Sequence, residues 1–382
     1  MSSKRIVGLA IAVLAVIAIA AWIATSRQAS QSTSETFLYP QLKSSINSVN
    51  AVRIYKAGDE RAVELVRGDK GWTVSERANY PADAVKIRKL LIDLQQARIF
   101  EEKTSTATSY PALGVEDVSD KAAHGVRLEL AGTGSPINLI IGKTGSAGHL
   151  TYMRRAGEKA SWAVNAEFQV PADPTAWLQH DILDVHADRI QEAAIAHSGE
   201  APFTATKNTR ADADFTLSSI PKGTELNAPS APNAVAASLV ALSLEDVPAA
   251  ATLSAQPASE HATYKTFDGL VVEIQGWNYQ GKRVIGVKAS FDPALAERFK
   301  VAAATEQKDA AGKDAPKPAP AAAPTNVSDE AASLNKKLDG WYFQIPQYKY
   351  DAIFPKLDNW VKKTQAPKPA QASKPSPLKK AS

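Results

Sequence analysis

Histidine and aspartate side chains, which can bind zinc, are concentrated near the middle of the chain. The residues concerned are His180, Asp181, Asp184, His186, Asp188 and His197. Zinc sites built on one helix or hairpin use closely spaced ligands, as in His-x-x-x-His. Here His186 follows His180 by six positions, and His197 follows His186 by eleven. This spacing favours a solvated connector between two domains, and we predict no metal site.

Two other short patterns resemble catalytic motifs without their full context. Gly142–Thr144 reads Gly-Lys-Thr, but a phosphate-binding loop needs a glycine five positions earlier, where this chain has Ile137. Ser333 and Lys336 form Ser-x-x-Lys, yet the chain lacks the Ser-Asp-Asn motif that accompanies it. We therefore predict no catalytic residue, no nucleotide or other cofactor, and no enzymatic activity. An envelope hydrolase whose catalytic groups meet only in the folded chain is a less favoured alternative.

The overall composition is that of a globular protein that does not bind nucleic acid. The 382 residues are 44% hydrophobic and 22% charged, and the formal net charge is +4. A nucleic-acid-binding surface usually shows as a strongly basic stripe. The absence of cysteine excludes disulfides, thiolate ligands and a cysteine nucleophile. It also suits an oxidising compartment.

The N-terminus predicts a membrane anchor. Residues Ile6–Ala24 contain no charged residue and would form about 28 Å of helix, close to the hydrocarbon thickness of a bilayer. Lys4 and Arg5 precede this run and Trp22 lies near its other end, as expected at the two membrane interfaces. A signal peptide usually has an apolar region of roughly 7–15 residues. We therefore favour an uncleaved transmembrane helix over a cleaved signal.

This anchor predicts the location of each part of the chain. Residues 1–5 would be cytoplasmic, residues 6–24 would span the bacterial inner membrane and residues 25–36 would form a polar linker. The rest of the chain would lie in the periplasm.

Two similar repeats are predicted after the linker, at residues 37–184 and 185–361. The first contains a β-hairpin, an amphipathic helix that begins near Pro81, and a four-stranded meander. In the second, residues 232–247 match that helix and strand-like runs follow it. The predicted fold class is α+β: a single N-terminal transmembrane helix followed by two tandem repeats, each an antiparallel sheet with a packed helix.

Two low-complexity segments are predicted to be disordered. Residues 301–333, inserted in the second repeat, and residues 362–382, at the basic C-terminus, are rich in Ala, Pro and Lys. Neither segment has enough large apolar side chains to offset the entropy lost on ordering.

Tryptophans are the remaining candidates for ligand contact. Those beyond the linker are Trp72, Trp162, Trp177, Trp277, Trp341 and Trp360. They could line a cleft for a sugar or a peptide, but an indole on an amphipathic strand packs more often in the core. Four of them match across the repeats as two pairs, which favours the core. Trp277 and Tyr279 have no strong counterpart in the first repeat, so we predict that these two are exposed at a turn and contact a partner or ligand.

Several stretches together carry a family resemblance. They are the N-terminal anchor, "GWTVSERANYPADAVKIRKLLIDL", "YPALGVEDV" and "LIIGKTGSAGHLTYMRRAGEKASWAV". With these, the chain resembles the domain-of-unknown-function 4340 (DUF4340) family of bacterial envelope proteins. The resemblance implies a membrane-anchored periplasmic protein encoded beside an ABC-type transporter of the gliding-motility kind. The permease and auxiliary subunit of that transporter would be its partners, and no catalytic residue is implied.

The combined prediction is a non-enzymatic, membrane-anchored periplasmic accessory subunit of an envelope complex, associated with an ABC-type transporter. The alternative is a periplasmic module that binds a glycan or a peptide in a groove between the two repeats.

Overall fold

The computed structural model of the chain describes residues 36–145, 149–218, 220–248, 253, 256–300 and 326–364. Two units are formed, one ending at Gln179 and the other beginning at His180. The sequence predicts this boundary a few residues later, after residue 184. In the structure Pro174–Trp177 form a short 3-10 helix, and Asp181–Leu183 form a strand of the second unit.

The first unit is built on a ten-stranded antiparallel sheet. Its strands are β1 (Thr36–Phe37), β2 (Ala51–Lys56), β3 (Glu60–Gly68), β4 (Gly71–Val74), β5 (Tyr80–Pro81), β6 (Arg98–Thr104), β7 (Val126–Ala131), β8 (Ile137–Thr144), β9 (Leu150–Arg155) and β10 (Ser161–Asn165). They lie in the order β1-β6-β10-β9-β8-β7-β2-β3-β4-β5. Val52, Ile54, Val63 and Leu65 alternate with more exposed residues along β2 and β3 and are fully buried, so one face of this hairpin forms core.

The described residues of the first unit include three short or medium α-helices: α1 (Leu42–Ser45), α2 (Ala84–Gln96) and α3 (Tyr110–Leu113). Helix α2 is the one predicted from the sequence. The Asp83 carboxylate caps it by accepting hydrogen bonds from the backbone N–H groups of Val85 and Lys86, at 2.9 and 3.0 Å. Its apolar stripe is buried at Ile87, Leu90, Leu91 and Leu94.

A buried arginine ties the turn that follows α3 to strand β9. The Arg154 side chain is 3% exposed and donates to the Val115 carbonyl and the Asp117 carboxylate, each at 2.8 Å, and to the Glu158 carbonyl at 2.9 Å. Its guanidinium carbon lies 4.5 Å from the centre of the Tyr110 ring. This network holds "YPALGVEDV" against "TYMRRAGE", two of the stretches that carry the family resemblance.

The second unit contains a seven-stranded antiparallel sheet and two pairs of short strands. Its strands are β11 (Asp181–Leu183), β12 (Ile190–His197), β13 (Phe203–Thr206), β14 (Thr216–Leu217), β15 (Thr224–Leu226), β16 (Leu242–Ser243), β17 (Glu260–Thr266), β18 (Leu270–Tyr279), β19 (Lys282–Phe291), β20 (Phe343–Gln344) and β21 (Val361–Lys363). The large sheet has the order β14-β13-β12-β17-β18-β19-β20, and the pairs are β11 with β16 and β15 with β21. Residues 293–300 are helical, as are α4 (Val327–Leu338) and α5 (Gln347–Ile353).

The predicted fold class, α+β with a single N-terminal transmembrane helix and two similar repeats, is wrong. Antiparallel sheets dominate both units, and among the residues that the structure describes no helix is long and apolar enough to cross a membrane. The run predicted to span the membrane, residues 6–24, lies outside the described residues, and so do Lys4, Arg5 and Trp22.

The helix predicted for the second repeat is also wrong. Residues Ala231–Ala237 form a 3-10 helix, and residues 242–243, within the predicted helix, form β16. The chain turns at Ala241, whose φ is 46°, and β16 then pairs with β11. Val235 and Leu239 are buried, as their spacing indicated. The helical segment ends because β16 pairs with β11, which is far away in the sequence. Local hydrophobic periodicity cannot predict such a pairing.

The predicted disorder of residues 301–333 is wrong for residues 326–333, which belong to α4 and the residue before it. The Asn326 side chain caps this helix at the Ser328 N–H, and Glu330 forms a bidentate ion pair with Arg189, with both N–O distances at 2.8 Å. These partners are far apart in sequence, so composition alone does not reveal them. Residues 301–325 lie outside the described residues. Thr36, predicted as the end of the linker, belongs to β1. Residues 362–363, predicted as the start of the disordered tail, belong to β21.

Two buried tyrosines make the second unit sensitive to alkaline pH. Burial raises the pKa of Tyr350 from its ordinary value of 10.0 to about 12. Burial also raises the pKa of Tyr264, whose hydroxyl donates to the Ile353 carbonyl at 2.8 Å. The unfolded chain loses these phenolic protons first, near pH 10. The stabilisation from the protonated Tyr350 is therefore complete below pH 10 and is lost as the pH rises toward 12.

Replacing Tyr350 with Phe is expected to flatten this alkaline loss of stability, because the titrating hydroxyl is removed. The measurement is urea unfolding at a series of pH values, followed by a probe in the second unit. Tyr348→Phe is the matched control, since Tyr348 lies in the same helix α5 and is 69% exposed. Equal pH slopes for Tyr350→Phe and the unmodified protein would contradict the expectation.

Candidate functional site

A groove lies on the outer face of strands β17, β18 and β19 in the second unit. Two adjoining cavities form it, with volumes of about 710 and 460 Å³. They share Glu273, Val287, Lys288 and Asp339 among their lining residues. Both cavities are bounded by the sheet on one side and by the end of α4 on the other.

The register of the three strands sets the floor of this groove. Thr263, Glu273 and Lys288 pair across the strands as one row, and His261, Gln275 and Gly286 pair as the next. Directly paired residues project from the same face of an antiparallel sheet. The intervening residues project to the opposite face, where they are buried. The floor therefore presents a carboxylate, an amide, an ammonium group, an imidazole and a hydroxyl from a rigid sheet.

The wall of the groove is the C-terminal turn of α4 and the chain that follows it. The Asn335 side chain fixes α4 at the edge of β19: its Oδ1 accepts from the Ala289 N–H at 2.8 Å, and its Nδ2 donates to the Ala289 carbonyl at 2.5 Å. Lys336 and Asp339 follow on this wall and are exposed. With Glu273 and Lys288 on the floor, the groove carries charges of both signs.

Two aromatic residues, Trp341 and Tyr342, complete the wall. The Tyr342 ring meets the Trp277 ring edge to face, with their centres 5.2 Å apart. Gly286 lies beneath both rings, since a Cβ added there would be in van der Waals contact with each, at 3.4 Å. The Tyr342 ring therefore packs on the buried indole of Trp277.

Trp277 and Tyr279, the two residues predicted to be exposed contacts, have different surroundings. Trp277 is 6% exposed, packs with Leu253 and Val284, and donates from Nε1 to the Gln256 carbonyl at 3.0 Å. Its predicted exposure is therefore wrong. The position faces the same way as the groove floor, but Leu253 and Ala258 pack against it.

Tyr279 lies at the end of β18 and is partly buried against the Trp277 cluster. Its hydroxyl accepts a hydrogen bond from Gln280 Nε2 at 3.2 Å. The turn itself is formed by Gln280 and Gly281, both with positive φ. That either aromatic residue contacts a partner stays a prediction.

The histidines and aspartates near the middle of the chain do not converge. His180 Nδ1 lies 2.9 Å from the Leu244 carbonyl, while the His197 ring lies between the Glu260 carboxylate and the Pro355 carbonyl, with Nε2 at 3.0 Å from the latter. Within the part of the chain that the structure describes, no group of three or more His, Asp and Glu residues could hold a metal ion.

The two motif-like patterns also have structural surroundings. Gly142–Thr144 end strand β8, and Lys143 Nζ donates to the Pro111 and Ala112 carbonyls at 3.0 and 3.3 Å. Ser333 and Lys336 are exposed on α4, and Lys336 lines the groove.

Sequence reasoning missed most of the groove. Trp341 and Trp162 are one of the two tryptophan pairs that match across the repeats and are predicted to lie in the core, yet Trp341 is only partly buried whereas Trp162 is 9% exposed. One usable signal was present: Glu273 and Gln275 alternate with apolar residues in β18, which indicates a strand with one polar face. The position of α4 over that face could not be inferred, because α4 follows the low-complexity insertion.

Comparison with known protein families gives a match over the middle of the chain. The family described as "Domain of unknown function (DUF4340)" matches residues 72–265, about half of the chain. No curated protein and no solved structure is significantly similar to the chain. The family match includes His261 and Thr263 of the groove floor and ends before strands β18 and β19.

Proposed function

The chain belongs to the DUF4340 family, and we propose that it is a non-enzymatic accessory subunit of a bacterial envelope complex associated with an ABC-type transporter. The observation that carries the proposal is the groove of the second unit. Its floor places Glu273, Gln275 and Lys288 on the face of the sheet opposite the buried Ala262, Ile274 and Val287. Convergent polar side chains beside aromatic ones are typical of a recognition surface.

We propose a periplasmic location for residues 36–364, at the inner membrane and with the N-terminus in the cytoplasm. The support comes from the sequence: basic residues at positions 4 and 5 precede the apolar run, and the chain lacks cysteine. An alkaline phosphatase fused after Ser382 is expected to be active, because this enzyme folds in the oxidising periplasm. A green fluorescent protein at the same position serves as the inverse control and is expected to be dark. The opposite pair of results would contradict the location.

Co-purification tests the association with a transporter. Full-length protein, crosslinked in cells and purified in detergent, is expected to carry the permease and the auxiliary subunit of an ABC-type transporter. The control is a fusion of residues 1–35 to an unrelated periplasmic domain, which isolates the contribution of the two units. Absence of these subunits after crosslinking, or equal recovery with the control, would contradict the proposal.

A second candidate function is a binding module that works without a transporter. The same groove favours it, since a recognition surface on a stable sheet needs no additional subunit. Ligand binding by the purified protein, together with failed co-purification, would support this candidate over the first.

A further inference from the structure

At the floor of the groove, side chains are available to a ligand, whereas the backbone is already hydrogen-bonded within the sheet. Residues 271–276 of β18 pair with β17 on one side and with β19 on the other. An extended peptide commonly binds a sheet by adding a strand to an open edge. The centre of this floor has no such edge, so a ligand there must be recognised through side chains.

The side chains on the floor are matched to a ligand rich in hydroxyl groups. A sugar hydroxyl both donates and accepts hydrogen bonds. The Glu273 carboxylate accepts, the Lys288 ammonium donates, and the Gln275 amide does both. All three are exposed within the groove, so their hydrogen-bonding groups are available to a ligand.

The aromatic wall supplies the apolar part of such a site. Tyr342 is fixed against Trp277, whose own N–H is already bonded to Gln256. An aromatic side chain whose position is set before binding loses little entropy when a ligand packs on it. Trp341, beside Tyr342, extends this wall along the groove.

The charges of the groove argue against a polyanion as the ligand. Glu273 and Asp339 lie among Lys288 and Lys336, so the groove has no surplus of positive charge. Nucleic acids and other polyanions are bound by surfaces with a clear basic excess.

We propose that this groove binds a short oligosaccharide, with the floor of β17–β19 bonding to its hydroxyl groups and Trp341 and Tyr342 packing on the faces of its sugar rings. The inference rests on the proposed function in that it names the ligand class of the same recognition surface.

Isothermal titration of the full-length protein tests the inference, with chitotetraose, cellotetraose and maltotetraose as probes and tetraalanine as the peptide probe. At least one of the three sugars is expected to bind with a dissociation constant of about 1 mM or tighter. Gln275→Ala is expected to weaken that binding about five- to tenfold, the usual effect of a lost hydrogen bond. Asn278→Ala is the matched control, because Asn278 is an exposed amide on the same strand, outside the residues that line the groove. It is expected to leave binding unchanged.

Trp341→Ala is a second variant, which probes the aromatic wall and is expected to weaken sugar binding as well. Thermal unfolding of each variant separates a lost contact from a lost fold. The inference is overturned if none of the sugars binds, if tetraalanine binds and the sugars do not, or if Gln275→Ala and Asn278→Ala bind sugar equally well. Transporter subunits that still co-purify in these cases would leave the proposed function standing, whereas sugar binding without co-purification would retain the inference and reject the transporter role.

Discussion

Replacing Gly142 with Ala is expected to lower the free energy of unfolding of the first unit by about 3 kcal/mol. A Cβ at this position would lie 2.4 Å from the Leu113 carbonyl oxygen and 2.8 Å from the Gly114 carbonyl oxygen. Both obstacles are backbone atoms, so no side-chain rotation relieves the clash. The turn cannot move easily either, because the Gly114 N–H donates to the Tyr110 carbonyl at 2.8 Å and Arg154 holds the next residue, Val115.

Urea unfolding, monitored by hydrogen exchange of amides in strands β8 and β9, measures this loss. Gly68→Ala is the control, since Gly68 ends strand β3 in the same unit, has no positive φ, and has no atom within 4 Å of an added Cβ. It is expected to change stability little. A Gly142→Ala protein as stable as Gly68→Ala would show that the turn gives way, contrary to the expectation.

Replacing Arg154 with Met is expected to destabilise the first unit by about 2–3 kcal/mol, because two backbone carbonyls lose a charged donor, whereas the exposed Asp117 carboxylate stays solvated. The guanidinium makes three charge-assisted hydrogen bonds in a nearly closed site, and methionine restores most of the volume but none of the donors. The Val115 carbonyl would then be left buried without this partner, at a cost that exceeds the value of the bond itself.

Arg154→Lys and Arg88→Met complete this test. Lysine keeps the charge but lacks the planar fork that reaches three acceptors, so it is expected to recover only part of the loss. Arg88 is exposed on α2, and its replacement by Met is expected to be nearly neutral. If Arg154→Met and Arg88→Met unfold at the same urea concentration, the hydrogen bonds of Arg154 do not stabilise the first unit as expected.

The family and much of the local structure could be predicted from the sequence. The resemblance to the DUF4340 family is confirmed by the match to residues 72–265. The strands of the first unit and helix α2 also follow from local signals, since period-two alternation, glycine turns and the Asp83 cap act within a few residues of each other.

The errors concern features that depend on distant partners. Residues 326–333 looked disordered by composition, yet Asn326 caps α4 and Glu330 pairs with Arg189 from another part of the chain. Residues 232–247 have helical spacing, yet Ala231–Ala237 form a 3-10 helix and Leu242–Ser243 form β16, which pairs with β11. In both segments a long-range contact outweighs a weak local preference.

The amino-acid sequence by itself determined the family, the antiparallel hairpins and the polar face of β18, because these arise from residue type and spacing along the chain. The tertiary structure alone decided that Trp277 is buried and that Tyr342 lies over it. It also decided that Glu273, Gln275 and Lys288 face α4 across one groove. The physical reason is that the groove is made by the register of β17–β19 and by the contact of Asn335 with Ala289, a residue 46 positions away. No local pattern encodes such a contact.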